Sequence, residues 1–264
     1  MRVLLTGNKG FIGREIKEVL TKENALAVHG EDSDNYRAFL HWFEDTDFSY
    51  YDLVIHCGAI SDSRQCDNEL WQMNYQASCQ IARACEQSNT KLLFISSAAA
   101  IEPDTPYGWS KHCAEFYMQQ KVAGMNLCIL RPFNVWSFDE SEKANPSIVY
   151  KIITGRLQQV YWRCQRDFIH ITDVVSAVQQ VIHNWTPGTF ELGTAQPTDI
   201  VTLVNHLYDG VDCLKAGVGP KPPVVSECPI SEHLVARHEH LLPNWQATPI
   251  SEHLEYLKEQ MRKE

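Results

Sequence analysis

Short apolar runs alternate with amphipathic stretches along the first half of the chain. The apolar runs predict strands at Arg2–Thr6, Ala25–His29, Leu53–Cys57, Leu92–Ser96 and Leu127–Leu130. The amphipathic stretches predict helices at Phe11–Thr21, Asn35–Phe43, Glu69–Glu86 and Tyr107–Val122. Strands that alternate with helices in this way are typical of a parallel sheet with helices on both faces. We therefore predict an α/β fold with a doubly wound parallel sheet.

The pattern is looser after Arg131-Pro132. Helices are expected near Ser147–Thr154, Asp173–His183 and Ile250–Arg262, short strands near Leu157–Tyr161 and Thr189–Leu192, and a loop at Gly217–Pro229. We predict a core domain of residues 1–132, and we expect residues 157–185 to belong to the same domain. Residues 133–156 and 186–264 are expected to form a small C-terminal α/β lobe.

Composition and charge narrow the possible functions. The chain has 264 residues and a formal net charge of −10, which disfavours nucleic-acid binding because phosphate neutralisation needs clustered Lys and Arg. No apolar run approaches the roughly 18 residues that span a bilayer, so we expect no membrane segment. Nine cysteines without a C-x-x-C pair indicate reduced thiols and a cytoplasmic location. The scattered histidines lack a metal-ligand pattern, and no metal is expected.

A glycine motif follows the first predicted strand directly. It reads Thr6-Gly7-Asn8-Lys9-Gly10-Phe11-Ile12-Gly13 and leads into the first predicted helix. Gly7 permits a tight turn, Gly10 permits close approach of a pyrophosphate, and Gly13 permits close packing of helix on strand. The N–H groups at the helix N-terminus are suited to hold the anion. The motif therefore predicts a Rossmann-type core that binds a dinucleotide, NAD or NADP.

The end of the second predicted strand bears on the choice of nucleotide. This fold usually carries an acid there, which binds the adenosine ribose. His29 occupies the position expected for this acid. Glu31, Asp32 and Asp34 follow it, and they either replace the acid or cap the next helix. No Arg or Lys stands immediately there to bind a 2′-phosphate. The sequence leaves NAD and NADP as alternatives.

Tyr107 and Lys111 are four residues apart on a predicted helix, so both side chains can face one cleft. A neighbouring ammonium group is expected to lower the pKa of the phenol from its ordinary value of about 10. Such a tyrosine is suited to act as a general base toward a hydroxyl that is being oxidised or as an acid toward a ketone that is being reduced. Ser96-Ser97 ends a predicted strand, where Ser97 would face the same crevice and hold the substrate oxygen.

These motifs, in this order, resemble the extended short-chain dehydrogenase/reductase family, whose NAD-dependent members act largely on nucleotide sugars. His56-Cys57-Gly58-Ala59, Leu130-Arg131-Pro132-Phe133-Asn134 and Arg166-Asp167-Phe168-Ile169-His170 resemble further family segments. The resemblance implies the catalytic tetrad Asn74, Ser97, Tyr107 and Lys111. The candidate cofactor-binding residues are Gly7, Gly10, Phe11, Ile12, Gly13, His29, Cys57, Gly58, Ala59, Asn74, Ser96, Tyr107, Lys111 and Pro132. The candidate substrate-binding residues are Ser97, Asn134 and Arg166.

The residues after Ser97 bear on the reaction. Ala98 and Ala99 cannot transfer protons, which argues against the dehydratases of the family. Local segments are similar to those of ADP-glycero-manno-heptose 6-epimerases, in which Lys143 would match a second acid or base. We therefore predict a nucleotide-sugar epimerase that works through a transient ketosugar. A nucleoside-diphosphate 4-ketosugar reductase is the alternative, because the opening of the chain also resembles dTDP-4-dehydrorhamnose reductases.

Two segments are shorter than in typical family members. Residues 30–52 leave little room for both a third strand and a helix, and residues 98–106 replace a longer loop. The resemblance further implies a homodimer, with the helices Glu69–Glu86 and Tyr107–Val122 at the interface.

Overall fold

The chain forms two compact units. A computed structural model describes residues 1–22, 27–31, 35–61, 67–140, 146–154, 156–157, 159–209 and 224–261. The first unit consists of residues 1–132 and 175–191, and the second of residues 133–174 and 192–264. The later part of the chain that rejoins the first unit thus begins at residue 175, whereas the sequence predicted residue 157. The difference arises because residues 159–166 form a strand that pairs within the second unit.

The strands are β1 (Arg2–Thr6), β2 (Ala27–Glu31), β3 (Leu53–His56), β4 (Lys91–Ile95), β5 (Leu127–Pro132), β6 (Val135–Trp136), β7 (Gln159–Arg166), β8 (Ile169–His170), β9 (Gly188–Leu192), β10 (Thr198–Asp199) and β11 (Val224–Leu234). The helices are α1 (Phe11–Thr21), α2 (Tyr36–Glu44), α3 (Asn68–Trp71), α4 (Ala77–Ser88), α5 (Pro106–Lys121), α6 (Ile148–Ile153), α7 (Ile171–His183), α8 (Ile200–Asp209) and α9 (Ile250–Met261). No helix within the described ranges is long and apolar enough to cross a membrane.

The first unit is built on a sheet with the strand order β2-β1-β3-β4-β5-β9. The first five strands in this order pair in parallel. Apolar side chains of the sheet, such as Val54, Phe94 and Ile129, pack with Ile81 of α4 and Met118 of α5 in one fully buried cluster. Burial on both faces explains why these strands read as nearly continuous apolar runs. The predicted Rossmann-type doubly wound sheet is confirmed.

The short segment between β2 and β3 contains one helix, α2, and a 3₁₀ turn at Phe48–Tyr50. Among its described residues there is no further strand. β3 instead pairs directly with β1, and β2 lies at the edge of the sheet. The segment is therefore too short to add the third strand that this fold usually carries on that side.

The predicted helix Glu69–Glu86 is interrupted. A π-helical turn at Gln72–Gln76 separates α3 from α4, and it places Asn74 in the interior with no exposed surface. π-helical turns within helices occur frequently at functional sites.

The second unit has a three-stranded sheet, β10-β7-β11, and the strand pair β6-β8. The sequence predicted a loop at Gly217–Pro229, but its residues from Val224 onward belong to β11, which pairs in parallel with β7. The pairing shifts register between Glu227 and Glu232, and this irregularity accommodates Pro229, which has no N–H to donate. The earlier part of the predicted loop lies outside the described residues.

Candidate active site

The glycine turn after β1 has the close backbone contacts that its sequence predicts. Gly7 has a φ of +71°, which favours glycine. A Cβ atom on Gly7 would lie 2.5 Å from the nitrogen of Gly58, and one on Gly13 would lie 2.1 Å from the oxygen of Gly7. The turn, the start of α1 and the segment after β3 therefore pack backbone against backbone. Only glycine fits at both positions.

The N-terminus of α1 begins at this turn. Gly10 is the N-cap residue, and no side chain caps the helix there. The N–H of Gly10 donates to the oxygen of Gly7 over 3.1 Å, which leads the chain tightly into the first helical turn at Phe11 and Ile12. Uncapped N–H groups at a helix start bind anions, and glycine leaves room for close approach. This cradle fits the diphosphate of a dinucleotide.

The second strand continues two residues beyond its predicted end. In β2 His29 is opposite Leu4, while Glu31 is opposite Thr6, the residue before the glycine turn. The ring of His29 lies 5.8 Å from that of Tyr50 and 5.5 Å from that of Tyr51, which precede β3. The structure thus places the His29 side chain toward the amino ends of the strands, away from the turn. An acidic residue, Glu31, ends the strand.

The segment after β3 adjoins the glycine turn. The N–H of Cys57 donates to the oxygen of Thr6 over 3.1 Å, and Gly58 lies against Gly7 as described above. Burial raises the pKa of the Cys57 thiol to about 12, so the thiol stays protonated. Ala59 follows, half-buried. The predicted residues of this segment and of the glycine turn therefore lie together.

The hydroxyl of Ser97 lies near the phenol of Tyr107, close enough to affect the pKa of that phenol. Ser97 follows β4 and also accepts the N–H of Ala99 over 3.2 Å, while Tyr107 is in the first turn of α5. Burial raises the pKa of Tyr107 above its ordinary value, and the nearby hydroxyl of Ser97 opposes this only in part. The sequence predicted a lowered pKa. The prediction was wrong for the protein without bound ligands, because desolvation of the phenol raises its pKa by more than the Ser97 hydroxyl lowers it.

Lys111 lies one helical turn beyond Tyr107 and is 2% exposed. Its Nζ donates to the main-chain oxygen of Ile95 over 3.0 Å and lies 4.5 Å from the ring centre of Phe94. Burial lowers the pKa of Lys111 to about 8, against the smaller opposing effects of Cys57 and Glu115. The ammonium group is thus held at the end of β4, two residues before Ser97.

Asn74 fastens the segment after β3 to this helix. Its Oδ1 accepts the N–H of Ile60 over 2.8 Å, and its Nδ2 donates to the oxygen of Ile60 over 2.9 Å. The same Nδ2 donates to Oγ of Ser110 over 3.1 Å. The amide therefore binds both backbone groups of Ile60 and one side chain of α5. The structure brings Asn74 together with the helix that carries Tyr107 and Lys111.

Ser96 has a different environment from Ser97. Its hydroxyl donates to the carboxylate of Glu115, which also accepts from Arg131, with Nη2 of Arg131 2.5 Å from Oε2. Glu115 is 2% exposed, so this is a buried ion pair. Pro132, another predicted cofactor residue, ends β5 directly after Arg131. The hydroxyl of Ser96 is therefore engaged within the fold.

The predicted substrate residues Asn134 and Arg166 belong to the second unit. Nδ2 of Asn134 donates to the main-chain oxygen of Asp167 over 2.7 Å, next to Arg166 at the end of β7. The Asp167 carboxylate is fully buried and accepts the N–H groups of Thr194, Ala195 and Ala236. Asn134 is thus bonded to the segment that carries Arg166.

Three further polar residues support this site and were not among the predicted site residues. His56 and Ser78 are buried and bonded to each other, and Ser110 accepts from Asn74. Ser110 stands beside Lys111 in the sequence, and Ser78 lies one helical turn after Asn74, so helical spacing was the available signal. Lys143, named above as a second acid or base, lies outside the described residues. The described His, Cys, Asp and Glu side chains include no group of three or more arranged to hold a metal ion.

Comparison with known proteins gives a family model and several similar folds. Residues 3–193 match the model of the NAD dependent epimerase/dehydratase family. UDP-glucose 4-epimerase of Thermotoga maritima, solved with UDP-glucose, is similar at 19% identity and a TM-score of 0.76, over 100% of this chain and 99% of that one.

Two further solved structures are similar to the chain. ADP-L-glycero-D-manno-heptose-6-epimerase of Helicobacter pylori has 20% identity and a TM-score of 0.74, over 97% of this chain and 96% of that one. dTDP-4-dehydrorhamnose reductase of Bacillus anthracis, solved with NADP, has 17% identity and a TM-score of 0.74, over 97% of both chains.

Proposed function

The chain belongs to the NAD dependent epimerase/dehydratase family, and we propose that it is an NAD(P)-dependent nucleotide-sugar epimerase. In this proposal it works through a transient ketosugar, with Tyr107 as the general base and acid. The observation that carries the proposal is the Ser97 hydroxyl near the phenol of Tyr107, with Lys111 one helical turn further on α5 and its ammonium group bonded to the end of β4. These three groups are suited to move a proton on and off a sugar hydroxyl.

The cofactor would be held by the glycine turn and the start of α1. Gly7, Gly10 and Gly13 give its diphosphate a close backbone cradle, and the segment Cys57-Gly58-Ala59 borders that cradle. An acidic residue, Glu31, ends β2, and in this fold an acid at the end of the second strand is typical of proteins that bind NAD rather than NADP. A nicotinamide held there would supply hydride-transfer chemistry to the reaction.

Each tetrad residue has a separate role in the proposal. Tyr107 takes the proton of the sugar hydroxyl at its phenol oxygen and later gives it back, while Ser97 holds the substrate oxygen by a hydrogen bond. Lys111, whose pKa of about 8 leaves it mostly protonated at pH 7, keeps a positive charge one helical turn from Tyr107, although without bound ligands burial has the larger effect on the pKa of the phenol. Asn74 fixes the backbone of Ile60 relative to α5.

A 4-ketosugar reductase is the alternative. It needs Tyr107 as a proton donor to a ketone, and burial, which raises the pKa of Tyr107, keeps the phenol protonated at neutral pH. Sugar dehydration is disfavoured in both versions. Water elimination needs an acid and a base beside Ser97, and Ala98 and Ala99 stand there.

Nucleotide-sugar recognition is proposed for the second unit. Arg166 carries the positive charge that a substrate diphosphate needs, and Asn134 lies beside it through its bond to Asp167. Replacing Arg166 by Gln should raise the KM for the nucleotide sugar while leaving the Kd of the cofactor unchanged. An unchanged KM would remove this assignment.

A homodimer is proposed through α4 and α5. On α5 Phe116 is 62% exposed and Trp109 is 48% exposed, unusually open positions for large apolar side chains. A surface pocket of about 390 Å³ beside them is lined by Tyr75, His112, Cys113, Phe116, Tyr117 and Gln120. Analytical ultracentrifugation should give a dimer at micromolar concentration and a monomer for Phe116→Asp. A wild-type monomer would contradict the proposal.

The reaction is tested with a panel of nucleotide sugars and nucleotide ketosugars, each incubated with NAD, NADH or NADPH. An epimerase converts a sugar to its epimer with no net change in the absorbance of reduced cofactor. A reductase oxidises NADH or NADPH in proportion to the ketosugar consumed. Cofactor binding without turnover of any member of the panel would contradict both versions.

A further inference from the structure

A buried chain of hydrogen bonds joins Thr6, His56 and Ser78 in the first unit. Oγ1 of Thr6 lies 2.6 Å from Nδ1 of His56, and Nε2 of the same ring lies 2.8 Å from Oγ of Ser78. Oγ of Ser78 lies 2.7 Å from the main-chain oxygen of Asn74. Thr6 is 5% exposed, His56 2% and Ser78 0%. These bonds connect the end of β1, just before the glycine turn, with the π-helical turn that holds Asn74.

The direction of each bond follows from its donors and acceptors. A carbonyl oxygen only accepts, so Ser78 gives its one hydroxyl proton to Asn74 and must accept from Nε2 of His56. Burial and the charge of Lys111 hold the pKa of His56 at about 3, so the ring is neutral at physiological pH. A neutral ring with its proton on Nε2 has a bare Nδ1, which accepts from the hydroxyl of Thr6.

The chain of bonds continues from Asn74 into the catalytic helix. Oγ of Ser110 donates to the main-chain oxygen of Tyr107 over 2.7 Å, so it accepts from Nδ2 of Asn74. The other proton of Nδ2 goes to the oxygen of Ile60. The hydrogen bonds that link Thr6, His56, Ser78, Asn74 and Ser110 thereby each have one defined donor and one defined acceptor. The end of β1 and the backbone of Tyr107 are linked through polar groups whose protons are ordered.

We propose that His56, fixed as the neutral tautomer with its proton on Nε2, is a positioning residue for the active site. It sets the main chain of Asn74 through Ser78, and the amide of Asn74 sets the first turn of α5, which carries Tyr107. The effect on turnover rests on the proposed function, whereas the tautomer and the bond directions do not. His56 is buried and acts only through the groups that are bonded to it.

The tautomer is tested by ¹⁵N NMR of the full-length protein labelled at histidine, with His56→Gln used to assign the signal. We expect the Nε2–H tautomer, unchanged from pH 7 to pH 5. In Thr6→Val the ring loses its donor at Nδ1 but keeps the acceptor of its Nε2 proton, so the same tautomer is expected. A wild-type ring protonated at Nδ1, or a charged ring at pH 6, would overturn the proposal.

Turnover is tested with matched variants, using the nucleotide sugar that the panel identifies. Ser78→Ala should lower kcat about tenfold and leave KM and the cofactor Kd within about twofold, because positioning acts on the reacting geometry. Ser88→Ala is the control, since its hydroxyl makes the same bond on the same helix, 2.7 Å from the oxygen of Ala84. Thr6→Val should also lower kcat, and Thr6→Ser should restore most of it.

The outcomes separate this inference from the proposed function. Unchanged kcat in both Ser78→Ala and Thr6→Val, with an active wild type, would overturn the positioning role alone. A wild type that turns over no member of the panel would overturn the proposed function, and the NMR result would then decide the inference.

Discussion

The ammonium group of Lys111 donates to the main-chain oxygen of Ile95 over 3.0 Å, at a buried position at the end of β4. Helix α5 is thereby fastened to the strand that leads to Ser97. The same contact keeps a charged group in an environment where burial disfavours charge. This relationship has consequences for stability as well as for catalysis.

The pH dependence of stability should reveal Lys111. Below about pH 8 Lys111 is protonated in both the folded and the unfolded chain. Between about pH 8 and 10.5 it has lost its proton in the folded chain but keeps it in the unfolded chain. Stability therefore rises with pH in this window, by up to about 3 kcal/mol. Urea unfolding from pH 7 to 10.5 should show this gain for the wild type relative to Lys111→Met. The exposed Lys121→Met on the same helix is the control, and equal slopes for all three proteins would contradict the lowered pKa.

Gly13 should tolerate no side chain. In Gly13→Ala the new Cβ would lie 2.1 Å from the oxygen of Gly7, and both groups belong to backbone that cannot swing away. We expect the free energy of unfolding to fall by about 1–3 kcal/mol and the affinity for NAD to fall at least tenfold. Gly124→Ala is the matched control, because nothing lies within 4 Å of its added Cβ. Calorimetric titration with NAD and thermal unfolding measure both effects, and an unperturbed Gly13→Ala would refute the packing of the turn.

The buried pair of Glu115 and Arg131 should matter for stability. Replacing Glu115 by Gln leaves the Arg131 guanidinium without its charge partner and Ser96 without its carboxylate acceptor. We expect a loss of about 3–5 kcal/mol in urea unfolding. Glu18→Gln removes the exposed pair with Lys22 and should change nothing measurable. Similar small effects from both variants would mean that the buried pair contributes little.

The sequence predicted the core of the first unit well because its signals are local. The apolar runs mark strands that are buried on both faces, and the turn after β1 needs glycine at Gly7 and Gly13 for steric reasons visible in the motif. The end of β2 was placed two residues early. Its last residues, Gly30 and Glu31, are polar or small, and only pairing with β1 shows that they continue the strand.

The remaining differences depend on tertiary contacts. The strand β11 contains Pro229 and follows a run of glycine and proline, so its local pattern is that of a loop, and its parallel pairing with β7 forms over a long separation. The pKa of Tyr107 followed burial rather than the charge of Lys111, which donates to Ile95 instead. The spacing of Tyr107 and Lys111 on the helix predicts neither the burial of the phenol nor the hydrogen bond of Lys111 to Ile95.

The most direct test of the account is the turnover of Tyr107→Phe on the nucleotide sugar that the panel identifies. Removal of the one phenol oxygen should lower kcat by about 10²–10⁴-fold, while the Kd for NAD stays within about twofold of the wild-type value. Circular dichroism and thermal unfolding confirm that the variant is folded. Full activity in folded Tyr107→Phe would contradict the assignment of Tyr107 as the group that moves the proton.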